Sequence, residues 1–196
     1  MDAPAPRLIL ASASPRRQQL LSQAGYLFTV QPSRIDEQAA VGSGIMPGEM
    51  ARRLAIAKAE AVANNFPEQV ILGADTVVAF GDFQLGKPTD ANHARWMLSL
   101  LENTTHIVIT GVAVIRRSTM HHATARVMSA VRMRPLTRQM IDRYVESGLW
   151  EGKAGGYGIQ DNDPFVARLS GCLTNIVGLP MTTTGKMLRD AGIIKQ

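Results

Sequence analysis

The run VILGADTVVAF at residues 70–80 has the length and apolar content of a strand buried on both faces, yet it carries one ionisable group, Asp75. An ionised carboxylate in such a place costs several kcal/mol unless it is paired. No base lies within three residues of it in the chain, so another element must deliver a cation, a metal or a strong donor. Candidates come from SASPRR at 12–17 and from Lys58 and Lys87. The chain therefore reads as a site assembled around Asp75, and the cations point to phosphate chemistry.

With 196 residues and 45% hydrophobic content, the chain is expected to form a single domain over 1–196 with a full core. Lys and Arg exceed Asp and Glu by 21 to 16, which favours anionic partners. Aromatic residues make up 5% and are scattered, so the stacking platform that nucleic-acid binding requires is missing, and nucleic acid is not expected as a partner. Cys172 is alone, which rules out an intrachain disulfide and suits a reducing compartment. The opening MDAPAPRLILASASPRR has too short an apolar stretch for a signal peptide, and no run reaches the roughly 20 apolar residues of a membrane helix. A cytoplasmic protein without membrane contact is expected.

LILA at 8–11 reads as a buried strand, followed by a helix with Ser14 at the N-cap, Pro15 at its first position and Gly25 past its end. A strand, a polar turn and a helix start in immediate succession aim unpaired N–H groups at the turn, a ready anion site. A second strand at about 26–31 leads into a Gly- and Pro-containing loop that carries Asp36 and Glu37. A long helix over about 48–65 follows, with Leu54, Ala61 and Val62 on its inward face and Lys58 in the middle of that face. After the Asp75 strand come a hairpin at Gly81 and Asp82, the LGKP turn, and a helix over about 90–101. THIVITGVAVI and ATARVMSAVRM are expected to pair antiparallel, and the rest comprises a short helix near 137–147, GKAGGYGIQ, a strand near 165–169 and a helix over about 180–191. This pattern implies a mixed sheet with helices against it. His93, His106, His121 and His122 lack zinc-like spacing and are expected on helix, strand and turn surfaces.

SASPRR, the acidic pair at 36 and 37, LAIAKA around Lys58, GADTVV, LGKP, THIVITGVAV, GKAGGYGIQ and TNIVGLP occur in an order that closely resembles the Maf family of nucleoside triphosphate pyrophosphatases. The resemblance runs from about residue 8 to 182. It implies the α/β Maf and inosine-triphosphatase-like architecture, an elongated mixed sheet flanked by helices with a cleft between two lobes. It also implies hydrolysis of a nucleoside triphosphate to monophosphate and pyrophosphate with a divalent metal, Mg²⁺ or Mn²⁺. Asp75 matches the catalytic proton acceptor, and Ser12, Arg16, Arg17, Lys58 and Lys87 match positions that bind the substrate's polyphosphate. Glu37 with Asp75 is the metal pair this reading favours, although adjacent Asp36 competes for the role and both could be surface acids.

Arg16, Thr76 and Gln160 match the specificity positions of the branch acting on dTTP and UTP, and Gln160 offers both donor and acceptor to a base edge. The branch acting on 7-methyl-GTP has Trp before the arginine pair and Asp-Gln in place of Asp75-Thr76, and this chain has neither. The chain departs from its relatives at DNDP (161–164) and at Cys172, which bears on loop shape near the base. The resemblance further implies a link to arrest of septum formation. A homodimer is the assembly considered. The competing readings are a 7-methyl-GTP or inosine triphosphate pyrophosphatase, and a non-catalytic nucleotide- or nucleic-acid-binding regulator.

Overall fold

A computed structural model describes residues 7–41, 44–159 and 165–195. In chain order the elements are β1 (Leu8–Leu10), α1 (Pro15–Gln23), β2 (Phe28–Val30), α2 (Glu37–Val41), α3 (Pro47–Ala63), β3 (Val70–Phe80) and β4 (Phe83–Leu85). They continue with α4 (Ala91–Leu101), β5 (Thr105–Arg116), β6 (His121–Met133), α5 (Arg138–Glu146), β7 (Val166–Ser170), α6 (Leu173–Val177) and α7 (Met181–Asp190). The strands form one sheet in the order β2-β1-β3-β5-β6-β7, with β4 added to β3. β1 runs parallel to β2 and β3, and the other pairings are antiparallel, which gives the mixed sheet expected. Among the described residues no helix is long and apolar enough to cross a membrane.

One edge of β3 is interrupted, and this interruption positions the site. β5 pairs with β3 continuously from Ile71 to Ala79. On the opposite edge β1 pairs only with Val70–Leu72, and β4 only with Val78–Phe80. Residues 73–77 of that edge therefore face no strand, and Asp75 and Thr76 stand in the gap. Two cores flank it on one face of the sheet. The first joins β1, α1 and α7 through Leu8, Leu10, Leu21, Leu72 and Leu188. The second joins α4, α5 and the far half of the sheet through Val78, Leu98, Val131, Tyr144 and Phe165. These cores are the two lobes, with the cleft between them.

On the opposite face α3 lies directly on the strands. Its inward residues Ala51, Ala55 and Ala59 recur at i+4 and are fully buried, so the helix presents a stripe of methyl groups to the sheet. The strands answer with Gly73 and Gly111. A Cβ at Gly73 would fall 2.2 Å from the Ala55 carbonyl oxygen, and one at Gly111 would fall 2.2 Å from that of Ala51. Helix backbone thus touches strand backbone, and Lys58, one turn beyond Ala55, is carried to Asp75. Pro47 sits in the first turn of α3, where its missing N–H costs nothing.

Several expectations need correction. Glu37 opens the short helix α2 and is not a loop residue. Five residues carry too little periodicity to reveal a helix, and the same holds for α6. Ala61 is only half-buried, the inward face of α3 running through Ala55 and Ala59 instead. Ser14 occupies the N-cap of α1, but its side chain makes no capping bond.

His106 is not on a surface. It is 1% exposed, with Nε2 2.6 Å from the Tyr157 hydroxyl, a partner 51 residues away that local sequence cannot reveal. Burial lowers its pKa to about 4. Because the folded-state value lies below the ordinary one near 6.5, the unfolded chain takes up this proton first as pH falls. The stabilisation is complete above about pH 6.5 and is lost progressively towards pH 4, by about 3 kcal/mol at the lower end. Denaturant unfolding across that range should show wild type losing about that much more stability than His106→Gln. Equal losses would contradict a neutral buried imidazole.

Candidate active site

The cation that Asp75 requires is Lys58. Its Nζ lies 2.6 Å from Asp75 Oδ1 and 2.7 Å from a carboxylate oxygen of Glu37, so one ammonium gathers two acids from different elements. Lys58 and Asp75 are both buried, while the Glu37 side chain is half exposed. Burial by itself would raise the Glu37 pKa. The Lys58 hydrogen bond and charge, followed by the charges of Lys87 and Arg17, hold it below the ordinary carboxylate value. Among the described residues Asp75 Oδ2 makes no hydrogen bond to protein, so one oxygen of this carboxylate remains available to a solute.

The turn after β1 supplies the second cluster. Arg17, on the buried side of α1, donates from Nε to the Gly178 carbonyl at 2.8 Å, from Nη1 to Ser12 Oγ at 3.0 Å and from Nη2 to Thr76 Oγ1 at 3.2 Å. Burial lowers its pKa, the charge of Asp75 opposes that, and Arg17 remains a cation. Ser12 Oγ also accepts from the Ser14 N–H at 3.3 Å. Arg17 is therefore the keystone joining the β1 turn, β3 and the loop after α6, and it also lines the cleft.

Arg16 points the other way and crosses the cleft, donating from Nη2 to the Gly152 carbonyl at 2.6 Å. The loop it reaches is GKAGGYGIQ, held to the LGKP turn by the Gly155 N–H to Gly86 carbonyl bond at 3.0 Å. Gly155 and Gly156 have φ of 71° and 75°, a backbone that side chains other than glycine rarely adopt, which is why the motif carries a glycine pair.

These elements enclose a cleft of about 450 Å³ whose walls include Ser12, Arg16, Arg17, Glu37, Lys58, Asp75, Thr76 and Lys87. It is thus lined by all the expected site residues but one. Gln160 lies outside the described residues. Five cationic side chains against three carboxylates line the cleft, a balance suited to a polyanion. Sequence reasoning missed Lys153, which lines the cleft although it is 6% exposed. The only signal was its place in the glycine-rich motif GKAGGYGIQ. Thr110 and Asn175, buried behind Thr76, were also missed, and strand and loop patterns gave no sign of them.

Among the described residues no cluster of three or more His, Cys, Asp or Glu side chains exists. Glu37 and Asp75 converge nonetheless, and a pair of carboxylates completed by water and phosphate oxygens is the usual donor set for Mg²⁺. The residues present fit a divalent cation that binds together with a phosphate ligand.

Sheet, lobes and cleft define an α/β protein with a predominantly cationic cleft between its lobes. The same fold occurs in a HAM1 protein from Coxiella burnetii, with a TM-score of 0.50 and 13% sequence identity over 94% of this chain and 99% of that one. The sequence model described as Maf-like protein matches residues 7–191, and the chain belongs to that family. It is 44% identical to a dTTP/UTP pyrophosphatase of Symbiobacterium thermophilum, over 95% of this chain and 94% of that protein. It is likewise 45% identical to a dTTP/UTP pyrophosphatase of Cereibacter sphaeroides, over 95% of each chain.

Proposed function

We propose that this chain is a nucleoside triphosphate pyrophosphatase acting on dTTP and UTP. The observation that carries the reading is the buried Asp75, bonded to Lys58 through one oxygen only, in a cleft whose lining is predominantly cationic. Relatives at 44% and 45% identity that are named dTTP/UTP pyrophosphatase support the same substrates.

In this reading the triphosphate lies across the β1 turn, facing Ser12, Arg16, Lys58 and Lys87. Asp75 Oδ2 accepts a proton from water as the water oxygen bonds to the α-phosphorus. The bond from that phosphorus to the bridging oxygen breaks, and pyrophosphate leaves with the electron pair. Lys58 keeps Oδ1 occupied and thereby fixes the plane of the carboxylate. Arg16, Lys87 and the start of α1 face the charge that grows on the leaving group, and fixed donors aimed at developing charge are usually an enzyme's strongest source of rate enhancement. Glu37 and Asp75 would hold a divalent cation, which when bound polarises phosphoryl oxygen and offsets the charge of the leaving group. Gln160 completes the base selection in this scheme, with Thr76 and Arg16.

A triphosphate panel in Mg²⁺ or Mn²⁺ tests the proposal. dTTP and UTP should yield monophosphate and pyrophosphate, and chelation should abolish turnover. Orthophosphate as the product would refute cleavage at the α-phosphorus. Preference for 7-methyl-GTP or inosine triphosphate would move the substrate, and binding without turnover would leave a nucleotide-binding regulator.

A further inference from the structure

The hydroxyls behind Arg17 form a chain with a fixed direction. A hydroxyl owns one proton and two lone pairs, whereas a backbone carbonyl can only accept. Thr110 Oγ1 lies 3.0 Å from the Asn175 carbonyl oxygen and spends its proton there. In the 2.9 Å contact between Thr76 Oγ1 and Thr110 Oγ1, Thr76 must therefore be the donor. Arg17 Nη2 donates to Thr76 Oγ1 from the other side. Thr76 is left with one lone pair, and no proton, for whatever enters the cleft it lines.

The direction is protected. Thr110 and Asn175 are fully buried, and Asn175 is pinned by its Nδ2 donating to the Val108 carbonyl at 3.1 Å and to Ser129 Oγ at 3.0 Å. Thr76 lies on the sheet face opposite Asp75, because neighbouring strand residues point to opposite faces. On that face the cleft is walled by Val78, Val108, Ile176 and Val177, apolar surfaces suited to the flat face of a base.

We propose that Thr110 is a specificity-determining positioning residue. By taking the Thr76 proton it makes Thr76 an acceptor only, which selects a base edge bearing a ring N–H, as in uracil and thymine. Cytosine presents an acceptor at that ring position and meets lone pair with lone pair. The inference rests on the pyrimidine reading above, and Thr110 itself touches no substrate.

The test compares kcat/KM for UTP and CTP, which share sugar and triphosphate, in wild type, Thr110→Val and Thr110→Ser. Valine keeps the shape and removes the acceptor, so the Thr76 proton turns to the cleft. The UTP-to-CTP ratio should fall about ten- to a hundredfold, the usual consequence of a mismatched buried hydrogen bond. Thr110→Ser should keep the wild-type ratio. A purely structural role would lower both nucleotides alike and leave the ratio unchanged, which would overturn the inference, as would a serine variant that loses selectivity. If Thr110→Val does not fold, Thr110→Ala is read against Thr110→Ser in the same way. A wild type that takes UTP and CTP equally overturns the pyrimidine reading and the inference with it. A selective wild type with an equally selective Thr110→Val overturns the inference alone.

Discussion

Asp75→Asn is expected to lower kcat by about 10²- to 10⁴-fold, the range a positioned base contributes. The amide keeps the shape of the carboxylate and its oxygen can still accept from Lys58, so the fold should survive. Glu37 remains within 2.7 Å of Lys58, so the ammonium keeps a charged partner. KM should change far less than kcat, because the cations around the triphosphate are untouched. Steady-state kinetics with dTTP, alongside a thermal melt, separates the alternatives. A folded variant with near wild-type turnover would remove Asp75 from the chemistry.

Gly73→Ala and Gly111→Ala should each destabilise the protein by about 3 kcal/mol or more, at the upper end of overpacking costs. The reason is the obstruction: each new methyl meets a backbone carbonyl at 2.2 Å, and backbone cannot rotate aside as a side chain can. Relief requires α3 to lift from the sheet. Since α3 carries Lys58, the Gly73 variant should also lose activity beyond what its unfolded fraction explains. Chemical denaturation gives the first effect, and kcat measured well below the melting temperature gives the second. A Gly73→Ala protein of wild-type stability would show that helix and strand are not in backbone contact.

The elements that announce themselves in the sequence are those with long internal patterns. Asp75 was legible as a carboxylate needing a partner because the eleven residues of β3 leave it no local one, and Lys58 because it interrupts an inward helical face. The hairpin of β5 and β6 was legible from two long apolar strands around a polar turn. What escaped depends on distance along the chain. Thr110 meets Asn175 across 65 residues, and His106 meets Tyr157 across 51. No local pattern encodes such contacts. The part Arg17 plays in joining segments was hidden because its three acceptors come from three separate stretches of chain. Where β1 and β4 pair along β3, and hence the gap between them, was equally hidden, since pairing is a property of two strands and periodicity describes one.

The missing stretch of pairing on β3 allows something a complete sheet forbids. In an unbroken sheet, side chains that are neighbours in sequence belong to different worlds, one above the layer and one below, and no single small molecule can touch both. Here a solute can sit in the window and be handled from both sides at once. In the proposed reading, reaction on one side and discrimination on the other are separated by a single peptide unit of β3. On that reading, a molecule held wrongly by Thr76 would also be held wrongly for Asp75, its neighbour in the strand.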